Sequence, residues 1–378
     1  MESLSIIGSK EHTEGIDEIK YCGHFNLEKS LVNIGLVTEN DFVVSTSISD
    51  DDRVVVRKTA FSCNYRDKTL ILHYNRDIQE EEEEDEVSFS YMGSEFVGEV
   101  IEIGKNVTSL KIGDRVIPNI TYPSYTKEYV GGIPSNHASR RVDDFKENKL
   151  VKIPDSMPDA VAASFPIAAF TSYSMIRKVA FPNARILVTS ARSNTSLAVI
   201  SALRNFPVEV YAITSSYEDH DILYNYGVKK VFVVDRYKAK PEEGKALVEF
   251  TQQNGLFNAV IDPMSDIYLE RVLKFMDYDS KYITCGLYDQ YADFSVHSHK
   301  ERPGILKDII GQVLAKNISI IGNCIGLMED FTMALKHYEE GKFDIMIDEV
   351  FTIGEEISFF EKTYNSSNRM GKVVFSYV

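Results

Sequence analysis

The chain has 378 residues, a formal net charge of −16 and a 44% share of hydrophobic residues. This length exceeds the usual size of one hydrophobic core, and the apolar share is enough for two cores, so we expect two domains. The negative charge would repel a polyanion, so we expect no nucleic-acid partner. No apolar run approaches the roughly 20 residues that span a bilayer. Residues 1–15 lack the apolar centre of a signal peptide, so we expect a cytoplasmic protein without a membrane partner.

The four cysteines show neither a disulfide framework nor a metal-binding pair. Cys22, Cys63, Cys285 and Cys324 are scattered without a C-x-x-C spacing, and each lies in or beside an apolar run. A disulfide-rich secreted domain would have closely spaced cysteines instead. We therefore expect reduced thiols, most of them buried.

An acidic run, EEEEEDE at residues 80–86, accounts for part of the negative charge. Like charges at this density repel one another and are too polar to pack, so we expect a solvated loop. A docking surface for a cationic substrate or peptide is the alternative interpretation.

The first part of the chain has the patterns of a small β-rich domain. The first 50 residues look irregular, with candidate strands only near residues 18–21 and 42–45. Residues 53–60 contain β-branched side chains in a row, and residues 95–103 alternate apolar with polar side chains. Such alternation is typical of half-buried antiparallel strands.

From about residue 185 short apolar strands alternate with helices. This alternation predicts a parallel sheet covered by helices on both faces, because parallel strands need crossover connections. Ligands of such sheets bind beyond the carboxyl ends of the strands. The candidate strands are residues 185–189, 208–214, 230–234, 259–262, 281–285, 318–321 and 372–375. The candidate helices are residues 195–203, 220–226, 241–252 and 266–275.

Several short segments carry a family resemblance, and they follow one another in the family's order: FVGEVIEIG (96–104), KIGDRV (111–116), KLVKIP (149–154), AASFP (162–166), AVIDP (259–263), CGL (285–287) and RMGKVV (369–374). On these residues the chain resembles the medium-chain dehydrogenase/reductase superfamily, and within it the zinc-free branch of quinone oxidoreductases and enoyl reductases. The resemblance covers roughly residues 50–378.

The resemblance implies an α/β fold with two domains. A GroES-like β-rich catalytic domain would comprise residues 1–160 and 326–378. A Rossmann nucleotide-binding domain, with a doubly wound parallel sheet, would comprise residues 161–325 and bind the cofactor.

The zinc ligands of alcohol dehydrogenases in this family have no match here. A cysteine after the first catalytic strand and the histidine of a G-H-E motif correspond to Asn64 and Ser94. Amide and hydroxyl groups are poor zinc ligands, so the resemblance implies a chain without catalytic zinc. Cys63, one position from Asn64, leaves a shifted ligand as an alternative. The four closely spaced cysteines of a structural zinc site are missing from residues 94–135.

The absence of zinc ligands favours an alkene over a ketone as the hydride acceptor. A ketone needs a Lewis acid for its alkoxide, whereas an activated alkene gives an enolate that hydrogen-bond donors stabilise. The NYRD segment that begins at Asn64 resembles a box of enoyl reductases in which a tyrosine is a proposed proton donor. The resemblance implies Tyr65 and Asn64 as catalytic candidates, with a pocket-wall ring as the alternative for Tyr65. We expect Arg66 and Asp67 to form an ion pair that fixes the turn. His137 is a further catalytic candidate, with a structural role as its alternative.

The nucleotide-binding turn of the family carries three glycines after the first strand of the parallel sheet. Here the matching residues are Ser190, Ser193 and Ser196. Glycine allows the tight turn and the close approach of pyrophosphate, but a serine hydroxyl could also contact phosphate at the helix start. A degenerate pocket is the alternative. The candidate cofactor-binding residues are Thr171, Ser190, Ala191, Arg192, Ser193, Asn194, Thr195, Thr214, Ser215, Ser216, Asp262, Gly286, Leu287, Asn323 and Lys372.

The end of the second parallel strand bears on the choice between NADPH and NADH. NAD-selective members place an acid there, and this chain has Ser215 and Ser216 instead. The missing acid favours NADPH, and Arg192 could add charge for the 2′-phosphate. Glu218, Asp219 and Asp221 follow closely and oppose this choice, so NADH stays open.

Together these patterns predict an NAD(P)H-dependent oxidoreductase that transfers hydride to an electron-poor C=C bond. Its substrate would be a small-molecule or peptide-borne enoyl, enone, quinone or dehydroamino-acid compound. Two alternatives are a non-catalytic binding protein with a degenerate nucleotide site and an alcohol dehydrogenase-type carbonyl reductase. The strand at residues 318–321 resembles the one through which family members extend their sheets across a two-fold axis, so we expect a homodimer.

Overall fold

Two compact units make up the chain. The computed structural model describes residues 1–39, 52–84, 86–124, 131–218, 220–235, 241–288 and 305–378. The first unit comprises Met1–Ile167 and Met346–Val378, and the second comprises Ala168–Ile345.

The second unit extends further along the chain than the predicted limit at residue 325. Residues 326–345 belong to it because they pack against its first helix. Phe331 stacks on Phe170 with ring centroids 4.9 Å apart. Asp330 accepts two hydrogen bonds from Arg177, at 2.7 and 2.9 Å. An aromatic stack and a bidentate ion pair thus hold this segment to the second unit.

The helices and strands follow in chain order. Up to residue 162 they are β1 (Glu2–Ile7), α1 (Lys10–Thr13), β2 (Ile19–Leu27), β3 (Ser30–Thr38), β4 (Arg53–Ser62), α2 (Asp67–Glu83), β5 (Phe89–Ser90), β6 (Glu95–Ile103), β7 (Arg115–Pro118), β8 (Val142–Lys146), β9 (Leu150–Lys152) and α3 (Asp159–Ala162). The next are α4 (Phe165–Val179), β10 (Arg185–Val188), α5 (Asn194–Leu203), β11 (Glu209–Thr214), α6 (His220–Asn225), β12 (Val228–Val233), α7 (Pro241–Asn254), β13 (Phe257–Asp262), α8 (Ser265–Val272), β14 (Met276–Thr284), α9 (Ile305–Lys316), β15 (Ser319–Gly322) and α10 (Met328–Glu339). The last are β16 (Ile347–Phe351), α11 (Glu356–Phe360) and β17 (Lys372–Ser376).

The first unit contains two sheets, which are antiparallel except for the β16–β17 pair. One sheet has the order β2-β3-β1-β5, and the other has the order β16-β17-β4-β6-β7-β9, with β8 paired to β4. A shared core joins them, in which Phe25 stacks on Phe360 with centroids 4.7 Å apart. The interpretation of the first 50 residues as irregular is wrong, because β1, β2 and β3 lie there. The candidate strand at residues 18–21 falls at the start of β2, and residues 42–45 lie outside the described residues.

The acidic run does not begin as a loop, as the sequence predicted, because residues 80–83 form the end of α2. Ile71, Asn75 and Ile78 are buried on one face of this helix, and Glu82 continues the same face. The Glu82 carboxylate accepts a hydrogen bond from the Ser9 backbone N–H at 3.1 Å. A buried face and a partner for one acid therefore outweigh the repulsion among the others.

The four cysteines are free but differ in exposure. Cys63 is buried, Cys22 and Cys285 are half-buried, and Cys324 is exposed. The prediction that most of them are buried is wrong, because only Cys63 of the four is buried. Cys324 is exposed because it follows the edge strand β15 and not an internal one.

A parallel sheet forms the second unit, in the order β12-β11-β10-β13-β14-β15. Every neighbouring pair in it is parallel, so the predicted α/β class with a doubly wound sheet is confirmed. The side chains of Ile186, Leu187 and Val188 in β10 are fully buried. A strand buried on both faces has a continuous apolar run, which is why the sequence predicted this strand to within one residue.

The strand order reverses between β10 and β13, which are neighbours in the sheet. In open parallel sheets a crevice for ligands lies beyond the carboxyl ends of the strands at such a point. Thr189 directly follows β10, and Asp262 ends β13. The predicted cofactor turn therefore starts at this position.

Strand β15 is the last strand in the sheet order, and its Ile320 side chain is exposed. The predicted homodimer through this strand stays a prediction. Within the described ranges, no helix combines the length and the apolar character that crossing a membrane requires.

Candidate functional sites in the two units

The serine-substituted turn of the second unit is closed by its own hydrogen bonds. The Ser193 hydroxyl caps α5 by accepting a hydrogen bond from the Ser196 N–H at 3.2 Å. The Ser196 hydroxyl donates to the Thr189 carbonyl oxygen at 2.7 Å. Sequence reasoning expected these hydroxyls to contact phosphate, whereas both hold the turn in shape. The turn thus keeps a helix start without glycine.

Ser190 has a backbone conformation that favours glycine, with φ at +47°. Its side chain is buried and its hydroxyl lies 3.2 Å from the Met264 sulfur. A left-handed conformation costs an L-residue about 1–2 kcal/mol, so the serine at this position strains the turn.

Replacing Ser190 with glycine is expected to raise the free energy of unfolding by roughly 0.5–1 kcal/mol, because the relieved strain exceeds the added entropy of the unfolded chain. Ser193→Ala is the matched control, and losing the helix cap should cost about 1 kcal/mol. Denaturant unfolding of both variants checks the opposite signs. A less stable Ser190→Gly variant would contradict the strain argument.

Asp262 lies beneath this turn with no exposed surface. Its Oδ1 accepts hydrogen bonds from the Thr189 hydroxyl at 2.6 Å and from the Met264 N–H at 2.8 Å. Its Oδ2 accepts a hydrogen bond from the Tyr282 hydroxyl. Burial raises the pKa of Asp262, and these donors oppose the rise. This predicted cofactor residue therefore ties the ends of β10, β13 and β14 together. Sequence reasoning missed Tyr282, whose only signal is a polar group in a buried strand.

Arg192 points from the turn toward the end of β11. Its guanidinium donates a hydrogen bond to the Ser216 hydroxyl at 2.6 Å. The Ser216 carbonyl in turn accepts a hydrogen bond from the His220 ring at 2.8 Å. The structure therefore brings together the arginine and the serine that were predicted for a 2′-phosphate. Of the three opposing acids, Glu218 is exposed, Asp221 lies in the first turn of α6, and Asp219 lies outside the described residues.

The donor set around the turn fits a dinucleotide. The start of α5 offers backbone N–H groups and a positive dipole end, and Arg192 adds a cation. The side-chain oxygen of Asn194 is buried at this helix start and has no hydrogen-bond partner among the described residues. A ribose or amide donor would satisfy this acceptor.

Other predicted cofactor residues of the second unit make backbone hydrogen bonds or bind neighbouring side chains. The Ala191 N–H donates to the Ile213 carbonyl, and Thr195 lies on the first turn of α5. The Asn323 side chain accepts hydrogen bonds from Ser174 at 2.8 Å and from Lys178 at 2.6 Å. The remaining members are the buried Thr171 and Thr214, the exposed Ser215, and the half-buried Gly286 and Leu287.

In the first unit the NYRD segment forms a hydrogen-bonded turn between β4 and α2. Asp67 is fully buried, and its carboxylate accepts hydrogen bonds from the Asn64 N–H at 2.7 Å and from the Ser94 hydroxyl at 2.8 Å. Arg66 lies 3.1 Å from Asp67, as the predicted ion pair requires. Burial raises the pKa of Asp67, and the Arg66 guanidinium opposes the rise.

Lys372 is hydrogen-bonded to this turn, so its ammonium is not available to a ligand. Its ammonium donates hydrogen bonds to Asn64 Oδ1 at 2.7 Å, to the Ser62 hydroxyl at 3.2 Å and to Glu95. The Asn64 amide nitrogen donates to Glu95 at 2.8 Å and to Ser94 at 3.3 Å. Sequence reasoning did not name Glu95, although it occupies the acid position of the G-H-E motif in which Ser94 replaces the histidine.

The same contacts show whether the positions of Asn64 and Ser94 could hold a metal ion. Asn64 and Ser94 are hydrogen-bonded to each other, and a lysine ammonium already lies beside Asn64. In the part of the chain that the structure describes, no group of three His, Cys, Asp or Glu side chains could hold a metal ion. Amide, hydroxyl and ammonium groups do not fit zinc.

The two remaining catalytic candidates lie in different surroundings. Tyr65 is half-exposed on the turn, with the Lys68 ammonium 5.2 Å from its ring centroid. The His137 ring packs near Tyr91, with centroids 6.1 Å apart, and burial lowers the pKa of His137. The His137 carbonyl oxygen accepts a hydrogen bond from the buried Lys58 at 2.8 Å. These contacts favour the structural interpretation of His137.

Comparisons with known proteins agree with this geometry. Residues 50–155 match the family described as the alcohol dehydrogenase GroES-like domain, which confirms the predicted GroES-like fold of the β-rich unit. The chain is 25% identical over 298 residues to an acryloyl-coenzyme A reductase of Sulfurisphaera tokodaii, covering 75% of this chain and 82% of the relative. It is 28% identical over 292 residues to the quinone oxidoreductase-like protein 2 of Bos taurus, covering 75% of each chain.

Solved structures share the fold over the whole chain. An NAD-dependent alcohol dehydrogenase is similar with a TM-score of 0.72 at 17% identity, covering 100% of both chains. A crotonyl-CoA carboxylase/reductase in complex with NADP is similar with a TM-score of 0.73 at 14% identity, covering 100% of this chain and 95% of the other. At these identities the likeness shows the fold.

Proposed function

The chain belongs to the medium-chain dehydrogenase/reductase superfamily, and from that premise we propose that it is a zinc-independent, NAD(P)H-dependent reductase of electron-poor C=C bonds. The NYRD turn of the first unit is the observation on which the proposal rests. It is fixed by Asp67, Lys372 and Glu95, and its amide, hydroxyl and ammonium groups do not fit zinc. Chemistry that needs only hydrogen-bond donors suits this turn better than ketone reduction does.

The proposed reaction needs a hydride, a proton and a site for the developing charge. When bound, a reduced nicotinamide would supply the hydride. The Tyr65 hydroxyl gives a proton to the α-carbon of the substrate, which accepts the hydride at its β-carbon. The buried contacts of Asn64 and Asp67 keep the backbone on both sides of Tyr65 in place. Such preorganisation lowers the cost of reaching the reactive geometry.

An enoyl thioester is the substrate class that we propose first. The supporting observation is the similarity to acryloyl-coenzyme A reductases over 75% of the chain. A quinone is the second candidate, because the bovine relative carries that name.

Oxidation of NADPH by the purified protein tests the function directly. Acryloyl-CoA should be consumed at a rate well above that of a simple aldehyde, with benzoquinone as a third substrate. Reduction of the aldehyde alone would favour a carbonyl reductase. Nicotinamide fluorescence that does not change at millimolar NADPH would instead favour the non-catalytic binding protein.

We also propose NADPH as the preferred cofactor, on the contact between Arg192 and Ser216. Arg192→Met should weaken NADPH binding about tenfold, the usual effect of losing one charge-assisted hydrogen bond, and leave NADH binding unchanged. Fluorescence titration with both cofactors measures this difference. Arg204→Met is the matched control, because Arg204 pairs with Asp344 elsewhere in the second unit. Equal weakening of both cofactors would show that Arg192 does not read the 2′-phosphate.

A further inference from the structure

We propose that Lys372 is a positioning residue for the NYRD turn and not a cofactor contact. Its ammonium is the fixed internal cation to which Asn64 and Glu95 are oriented. The inference rests on the proposed reductase function, because the turn that Lys372 holds carries Tyr65.

The register of the sheet places these residues together. Val374 of β17 pairs with Ser62 of β4, so position 372 falls opposite residue 64. On the other side of β4, Ser62 pairs with Glu95 of β6. Backbone pairing across three neighbouring strands therefore brings the lysine, the amide and the acid to one point.

Burial makes the pairing of Lys372 obligatory. Lys372 is 2% exposed and Glu95 is fully buried, and a buried charge is tolerated only when it is paired. An ammonium has three N–H donors, and the three acceptors Ser62, Asn64 and Glu95 match that number. In this arrangement the donors of Lys372 are committed within the first unit. A phosphate would have to replace one of these partners.

The second oxygen of Glu95 is also engaged. Glu95 Oε2 accepts a hydrogen bond from the Ile167 N–H at 2.9 Å. Both ends of the carboxylate are thus fixed, and so is the amide of Asn64 that binds it. Removing the ammonium would leave Glu95 as an unpaired buried charge and would free Asn64 to turn. Tyr65 would then lose the support of the residue before it.

Three variants of the full-length protein test the inference by kinetics and cofactor binding. Lys372→Met should lower kcat for acryloyl-CoA by roughly tenfold to a hundredfold, the usual result of a small displacement of a catalytic group. The NADPH dissociation constant should stay unchanged. Lys372→Arg should recover part of kcat, because it restores the charge. Lys152→Met is the control, since Lys152 pairs with Asp114 through a half-exposed side chain.

Glu95→Gln gives a second route if Lys372→Met does not fold. It removes the other charge of the pair, so its kcat should fall in the same range, and the double variant should be no worse than either single one. A weaker NADPH affinity of Lys372→Met with an unchanged kcat would overturn the inference and make Lys372 a cofactor contact.

A crystal structure of Lys372→Met provides a readout that does not depend on turnover. A rotated Asn64 amide and a displaced Tyr65 are expected. An unmoved turn would overturn the positioning role, even if the wild-type protein reduced none of the alkenes. Failure of the proposed function would appear separately, as a wild-type protein without alkene reduction.

Discussion

Replacing Asp262 with alanine is expected to lower the free energy of unfolding by about 3–5 kcal/mol, because three hydrogen-bond donors, two of them buried, lose their acceptor. These donors are the Thr189 and Tyr282 hydroxyls and the Met264 N–H. In a unit of this size the loss corresponds to a fall of the melting temperature on the order of 10 °C. Thermal and denaturant unfolding measure it.

Two further variants separate this effect from a general loss of charge. Asp262→Asn keeps one acceptor oxygen, so its loss of stability should be clearly smaller than that of the alanine variant. Glu270→Ala removes an exposed acid from α8 and should change stability by less than about 0.5 kcal/mol. An Asp262→Ala variant as stable as Glu270→Ala would show that the carboxylate does not hold the strand ends.

Replacing Tyr65 with phenylalanine is expected to lower kcat for alkene reduction by about a hundredfold or more, the typical contribution of a general acid. The change removes only the hydroxyl and keeps the ring beside Lys68. NADPH affinity and stability should stay the same, because Asp67 and Asn64 still fix the turn. Stopped-flow oxidation of NADPH with acryloyl-CoA measures the rate.

Tyr74→Phe is the matched control for Tyr65→Phe. Tyr74 lies on α2, where its ring packs near His137 with centroids 6.2 Å apart. Its loss of a hydroxyl should leave kcat nearly unchanged. If Tyr65→Phe turned over as fast as the wild-type protein, Tyr65 would be a wall of the pocket and the proton would come from water.

The parallel strands were predictable because each is determined locally. β10, β11 and β13 each consist of a short apolar run between turns, and such a run indicates a strand whatever its partners are. Of the antiparallel strand β2 only the start was predicted, since Gly23 and His24 interrupt its apolar pattern. β2 is held in the sheet by pairing with β3. In β3, Gly35 leaves space for the Ile7 side chain of the neighbouring strand β1. A strand that depends on its neighbours in this way has a weak signal of its own.

In the candidate site, too, the features set by residues close together in the chain were predictable and those set by distant residues were not. The NYRD segment, the turn after β10 and the ion pair of Arg66 with Asp67 could all be named from residues close together in the chain. The sequence could not show that Ser193 caps the helix and that Ser196 closes the turn. The two side chains are chemically identical, and their roles depend on where the folded backbone places each hydroxyl. The same holds for Asp262, whose role depends on Tyr282 in another strand.

The sequence by itself determined the two-part α/β organisation, the positions of the parallel strands along the chain and the residue types at the two sites, because these follow from local apolar patterns and short motifs. Only the tertiary structure decided that Lys372 meets Glu95 and Asn64, residues about 300 positions away, and that Arg192 reaches Ser216. The physical reason is register. The pairing of distant strands sets which buried charges and donors share a point, and burial then requires that they bind one another.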